Sequence, residues 1–211
     1  LASRGWAAAG AYSEAAYNPD SFDLPGGLAG LESLEGLLFP DTYMVEPDRF
    51  EVEEFIQRQL DALESRFIQP AAEQISNMNR GLYPVLIMAS LIEREEPKEV
   101  NMPVVAGVLW KRLDNRWNLG VDATSRYTLK VWNDRRAFLG KLRDSSDPYN
   151  TRLRSGLPPT PIGSPGLQAL QASLAPQSSP YWYYLHDAKG QIHLSRSAKE
   201  HEAFRKRYNV Y

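Results

Sequence analysis

The sequence predicts an α+β fold, a helix-rich domain with a small antiparallel β portion that includes a C-terminal hairpin. Three observations carry this. Apolar residues recur at helical spacing from Phe50 to Phe67, and from Val85 to Ile92 no charge interrupts a largely apolar run. Tyr181-Trp-Tyr-Tyr-Leu185 and Gln191-Ile-His-Leu194 flank the turn Asp187–Gly190, as two short strands would. Between these regions, Tyr149 to Gly166 is too dense in Pro and Gly to hold a regular element.

In chain order, residues 1–17 are alanine-rich and predict a helix, and 18–30 carry Pro and Gly and predict a loop. Pro47-Asp48 opens a long amphipathic helix on which Phe50, Phe55, Ile56, Leu60, Leu63 and Phe67 share a face. Gly81 ends the next helical piece. Pro84 suits the first turn of the helix that follows, and Pro97 stops that helix. Pro103 opens a further helix, Val104 to Leu113, whose closing Lys111-Arg112 favours its dipole. Asn115 to Gly120 is a turn and Val121 to Tyr127 follows it. Arg135 to Pro148 is charged and expected to be exposed. Gly166 to Leu174 is a short helix, and Lys199 to Tyr208 a terminal one.

Composition excludes several classes. The chain has 211 residues, enough for one large or two small domains, with 43% hydrophobic and 24% charged residues. A net charge of −2 with both signs interspersed gives no electrostatic case for nucleic acid or an anionic membrane surface. There is no cysteine, so thiol chemistry and disulfides are out. The three histidines, His186, His193 and His201, form no H-E-x-x-H pair, so neither a metal nor a cofactor is expected. The start at Leu1 reads as a cut from a longer protein.

The apolar helix ends in a carboxylate. From Val85 to Ile92 no side chain is charged, and Glu93 is the first charge after them. A helix apolar on every side is a buried one. A carboxyl at its end is partly desolvated, its pKa rises, and it becomes a general acid for near-neutral pH. The plainer reading is that Glu93 marks where the helix meets water. Glu95 and Glu96 are rival acids, expected to be exposed.

Three other segments stand out, each with a structural alternative. Gly36 to Tyr43 packs Phe39, Pro40, Asp41, Thr42 and Tyr43 together, as a sugar-contacting rim or a turn before a helix. Asp122 and Thr124 would face one cleft from an extended segment, or form a local turn. Tyr149-Asn150-Thr151 precedes the rigid Gly156-Leu-Pro-Pro-Thr-Pro-Ile162, either a binding loop or a connector.

In their joint order these segments resemble a family. Leu34-Glu35-Gly-Leu-Leu-Phe-Pro-Asp-Thr-Tyr43 is similar to E-G-x-L-F-P-D-T-Y, and Ala89-Ser-Leu-Ile-Glu93-Arg-Glu95 to A-S-(I/L)-(V/I)-E-(K/R)-E. Val105 to Leu113 resembles V-A-x-V-(F/L)-x-N-R-L, and Leu119 to Thr124 resembles L-Q-(S/T)-D-P-T. Tyr149-Asn-Thr151 with Gly156-Leu-Pro-Pro159 and Ser164-Pro-Gly166 is similar to Y-N-T-Y…G-L-P-P-x-P-I-x-x-P-G. His201 matches the histidine of the final helix. Lys111, Gly120, Ala123 and Arg152 depart from these patterns. The family is the endolytic murein transglycosylases, or YceG-like proteins.

The resemblance implies a catalytic domain over 31–211, with 1–30 the remnant of an N-terminal module or linker. It implies a bacterial lyase that cuts the MurNAc–GlcNAc β-1,4 bond within peptidoglycan strands, leaves 1,6-anhydro ends and terminates nascent strands. Glu93 takes the position of the essential glutamate. Asp122, Thr124, Tyr149, Asn150 and Thr151 are the expected sugar-holding residues, with Glu35 and Tyr43 behind them. The implied partners are glycan strands and the wall-synthesis machinery, on the extracytoplasmic face of the membrane behind a single N-terminal anchor. Two alternatives are a non-catalytic wall-binding or division-scaffold domain, and a muramidase that uses Asp41 or Asp122 with water.

Overall fold

The computed structural model describes residues 1–210. The chain divides into two compact units that are not consecutive stretches. One takes Leu1–Ser90 and Thr160–Leu174. The other takes Leu91–Pro159 and the described chain from Ala175 on.

In the first unit the N-terminal segment is less helical than its alanines predict. Gly5 and Gly10 take φ of +71° and +90°, left-handed values that a right-handed helix does not contain, and the α-helix is confined to α1 (Ala11–Ala16), which starts after Gly10. This helix packs on α2 (Val52–Leu63), and Leu34 N donates to Ala16 O at 2.8 Å. The amphipathic helix starts four residues later than Asp48, because Pro47–Arg49 forms a 3₁₀ turn and Glu51 is extended (φ −110°, ψ 130°). Val52, Ile56, Leu60 and Leu63 of α2 are buried, at spacings of four and three. Each such side chain stabilises by about 1.5–3 kcal/mol. A π-helical turn, Glu64–Ile68, then carries Phe67 and Ile68 inside.

The short helix α3 (Ala72–Ser76) precedes α4 (Leu82–Glu95), which matches the span set by Pro84 and Pro97. Val85, Leu86, Met88, Ala89, Leu91 and Ile92 have 0% exposure. Within the first unit, Ser90 Oγ accepts from Ile162 N at 3.0 Å. Ser173 Oγ donates to Val85 O at 2.9 Å.

In the second unit α5 (Met102–Asp114) begins at its proline and ends in Lys111 and Arg112. Gly107 faces Gln177 so closely that a Cβ there would lie 1.9 Å from the Gln177 carbonyl oxygen. Gln177 N donates to Pro103 O at 2.8 Å, which holds the segment before the hairpin along α5. After Gly120 the chain forms α6 (Asp122–Tyr127) and then α7 (Arg135–Lys141), whose N-cap Asp134 accepts from Ala137 N. The charged segment 135–148 is mostly exposed, but Asp147 is buried, with Lys141 Nζ at 2.9 Å and Thr128 Oγ1 at 2.9 Å. Helix α8 (Leu167–Leu174) belongs to the first unit.

The hairpin is β1 (Tyr183–His186) paired with β2 (Ile192–Ser195), antiparallel, with Tyr184 opposite Leu194 and His186 opposite Ile192. Helix α9 (Ala198–Tyr208) starts on a capping pair. Ser197 Oγ accepts from Glu200 N, and Glu200 Oε2 accepts from Arg196 N.

Candidate active site

The second unit holds a cleft of about 710 Å³ whose lining includes Glu95, Arg112, Asp122, Arg152, Tyr184 and His201. The last turn of α4 supplies its acid, and β1 supplies what holds that acid. Residues 184 and 186 point to one face of the strand, and each meets a neighbouring carboxylate. Tyr184 Oη donates to Glu95 Oε2 at 2.7 Å. His186 Nε2 lies 2.9 Å from Glu96 Oε2, and Lys98 N donates to Glu96 Oε1 at 2.8 Å.

This corrects the reading of the helix end. Glu93 is exposed, whereas Glu95 is half-buried in the cleft wall and Glu96 has 0% exposure. The expectation that Glu93 would be the desolvated carboxyl, with Glu95 and Glu96 in water, is reversed. A helix that is apolar on every side carries no information about which side stays covered in its last turn. The cover comes from β1, far along the chain.

The electrostatics of Glu95 suit a proton donor. Burial raises its pKa above the ordinary carboxylate range. The Tyr184 hydrogen bond lowers it, the Asp122 charge raises it, and His186 and Arg112 lower it, and the net direction is upward. Tyr184 is itself pushed well above the ordinary tyrosine range, by burial first and then by Glu95, so it remains a donor. Arg112 is held by two backbone carbonyls. Its Nε donates to Trp182 O at 2.8 Å and its Nη1 to Leu119 O at 2.6 Å. His201 stacks on Tyr183 with centroids 5.2 Å apart, and its Nδ1 is buried without a hydrogen-bond partner among the described residues. Burial lowers the His201 pKa, so it favours the neutral ring.

The expected sugar-holding residues divide sharply. Asp122 lines the cleft, but its Oδ1 is engaged by Arg152 Nε at 2.7 Å and Nη2 at 2.6 Å. Thr124 does not stand beside it on an extended segment, because both lie on α6, two residues and therefore about 200° apart. Thr124, Asn150 and Thr151 are 0%, 0% and 2% exposed, so they present no surface to a ligand. Thr124 Oγ1 and Thr151 Oγ1 lie 3.0 Å apart and Thr151 Oγ1 accepts from Val121 N, while Asn150 Nδ2 donates to Lys141 O and Asp144 O. They pin the loop that carries Arg152 against the start of α6. Tyr149 is half-buried with its ring 5.0 Å from that of Tyr127.

Glu35 and Tyr43 belong to the first unit. Glu35 lines a smaller cleft of about 200 Å³ with Tyr12, Ser33 and Ser164. Tyr43 Oη donates to Phe39 O at 2.7 Å, and its ring meets Phe55 edge-on. Sequence reasoning missed Tyr184, His186, Arg112 and Arg152 as cleft residues. The alternation of Tyr184 and His186 on one strand face was the available signal.

Comparison with known proteins agrees with this arrangement of elements. The YceG-like family matches residues 5–207. The endolytic murein transglycosylase of Bacillus subtilis (strain 168) is 30% identical over 175 residues, which are 83% of this chain and 48% of that protein. The endolytic murein transglycosylase of Streptococcus pneumoniae (serotype 2, strain D39) is 27% identical over 173 residues, 80% of this chain and 31% of its own. The crystal structure of a yceG-like protein from Listeria monocytogenes superposes with a TM-score of 0.72 at 30% identity, over 81% of this chain and 55% of that one. The chain thus spans less than half the length of these murein transglycosylases. With nearly its whole length matched in sequence and its fold shared, the chain belongs to the YceG-like family.

Proposed function

We propose that this chain is the catalytic part of a lytic transglycosylase that cuts the MurNAc–GlcNAc β-1,4 bond inside peptidoglycan strands, with Glu95 as its general acid and base. The observation that carries this is the half-buried Glu95 in the cleft wall, with its raised pKa and its bond from Tyr184. Relatives named endolytic murein transglycosylases supply the substrate class.

The chemistry needs one carboxyl. Protonated Glu95 donates to the oxygen between the two sugars, and the C1–O bond breaks. The cationic centre at C1 is stabilised by the substrate. Glu95, now ionised, takes the proton of the muramic 6-hydroxyl as that oxygen attacks C1, which closes a 1,6-anhydro ring without water. Hydrolysis would require a second carboxylate as nucleophile or base. Asp122 is the other carboxylate of the cleft, and Arg152 engages it. That engagement favours the anhydro route over a muramidase.

Such a substrate lies outside the cytoplasmic membrane. We therefore read the enzyme as extracytoplasmic, anchored by sequence beyond these residues and acting beside the wall-synthesis machinery to terminate growing strands. Among the described residues no helix is long and apolar enough to cross a membrane.

The test is mass spectrometry of products from purified glycan strands with wild type, Glu95→Gln and Glu93→Gln. Anhydro-muramic ends are expected from wild type and Glu93→Gln and lost with Glu95→Gln. An active Glu95→Gln beside a dead Glu93→Gln would return the acid to Glu93. Reducing ends carrying added water would mean hydrolysis. Binding without any cutting would mean a non-catalytic wall-binding domain.

A further inference from the structure

The cleft holds more positive charge than its own carboxylates balance. Arg94, Arg112, Arg152 and Arg205 line it against Glu95 and Asp122, in a chain whose net charge is −2. Most of these cations have visible company. Arg152 holds Asp122, Arg205 Nη1 lies 3.3 Å from Glu202 Oε2, and the Arg94 guanidinium stands 5.2 Å over the Trp132 ring.

Arg112 differs. It is half-buried, and the two hydrogen bonds that fix its guanidinium go to the neutral carbonyls of Trp182 and Leu119. Its Nη2 has no hydrogen-bond partner among the described residues. A guanidinium stays charged at working pH even where burial lowers its pKa. Charges removed from water are normally paired with an opposite charge. Glu95 is the carboxylate that acts electrostatically on Arg112, yet Glu95 must be protonated to serve as the acid. Asp122 is engaged by Arg152 at that stage. The cleft in its reactive state therefore presents a fixed, half-buried cation without an anion of its own.

We propose that Arg112, with Arg152 at the solvent-exposed edge, forms a subsite for a carboxylate carried by the substrate strand. This rests on the murein reading above and deepens it, because it makes charge on the strand a requirement for tight binding. Two sources offer that chemistry. One is the lactyl group of muramic acid, free only where the stem peptide has been removed. The other is a carboxylate of the stem peptide. Guanidinium forks pair with both in the same geometry.

The test reads binding without turnover, by calorimetry with the Glu95→Gln protein and three strand preparations. These are peptide-free strands, the same strands with the lactyl carboxyls converted to methylamides, and peptide-bearing strands. A charge-assisted hydrogen bond predicts that the methylamide strands bind roughly 10- to 100-fold more weakly than a strand whose carboxylate is used. Peptide-free strands tighter than the methylamides assign the lactyl group. Peptide-bearing strands tighter than the methylamides assign the peptide. Equal binding of all three overturns the subsite and leaves the murein reading standing, whereas binding of none overturns both.

Arg112 supports Leu119 and Trp182, so Arg112→Lys, which keeps the charge, is compared with Arg112→Gln, and Arg152→Gln serves as the exposed counterpart. The preference for charged strands should weaken in both Gln variants and survive in part in Arg112→Lys. A preference unchanged in both Gln variants also overturns the subsite.

Discussion

Glu95 and Asp187 are carboxyls that meet the same hairpin and are driven in opposite directions. Among the described residues Glu95 takes one hydrogen bond, from Tyr184 of β1, and burial raises its pKa. Asp187, which follows β1 directly, collects three donors. His193 Nε2 lies 3.0 Å from its Oδ2, and the amides of Lys189 and Gln191 reach its Oδ1 at 2.8 and 2.9 Å. Those donors, His193 foremost, hold Asp187 down to about 2. One carboxyl is built to keep a proton, the other to stay charged. What separates them is how many donors arrive for how much water is lost.

The comparison breaks first on activity. Glu95→Gln should lower strand cutting by about 10²–10⁴-fold, the range of a lost acid/base group, while Asp187→Asn should cut at close to the wild-type rate. Initial rates of anhydro-end formation decide this, and equal losses would remove the distinction.

The next largest effect falls on stability. His186→Ala leaves the fully buried Glu96 carboxyl with the Lys98 amide as its hydrogen-bond partner among the described residues, and should cost about 2–3 kcal/mol in urea unfolding. An unchanged midpoint would show that the pair holds nothing.

A smaller effect sharpens the Glu95 side. The reaction needs protonated Glu95, so kcat should fall as pH rises through the raised pKa. The Tyr184 bond lowers that pKa, so Tyr184→Phe should move this limb to higher pH. A limb that stays in place would mean that another group sets it. The stability linkage has the same sense. A folded-state pKa above the unfolded value contributes stability that is present below the unfolded pKa and lost as pH rises through the folded one.

Asp187 gives the smallest effect and the opposite sign. Its depressed pKa contributes stability above the ordinary aspartate range that is lost as pH falls toward about 2. Asp187→Asn should therefore be slightly less stable than wild type at neutral pH, with the gap closing on acidification in thermal melts.

Much of this arrangement could be read from the residues. Pro84 and Pro97 bracket α4, Asp187–Gly190 turns the hairpin, and the terminal helix expected from Lys199 to Tyr208 is α9. The site was harder. Three of the motifs each give the cleft a residue, Glu95, Arg112 and Asp122, yet Glu93, first after the apolar run, is exposed, and two residues further on Glu95 is covered. Helical periodicity assigns a covered face only when a helix has a polar one, and Val85 to Ile92 has none. Thr124, Asn150 and Thr151 are polar and lie in distinctive motifs, which suits loop pins as well as ligand contacts. The Thr124–Thr151 contact and the bond from Val121 N to Thr151 Oγ1 join residues 27 and 30 positions apart and leave no trace in local spacing.

The bonds that shape the acid join residues 89 and 90 positions apart, Glu95 to Tyr184 and Glu96 to His186. On a ribosome adding 5–20 residues per second, that gap lasts about 5–20 s. Through that interval Glu95 and Glu96 are ordinary solvated carboxylates at the end of a nascent helix, because the strand that covers them has not been made. The proton-holding state of Glu95 is thus a late event in the life of each molecule, coming after most of the chain exists. A chain that stalled before Tyr184 could carry every motif of the α4 helix and still lack its acid.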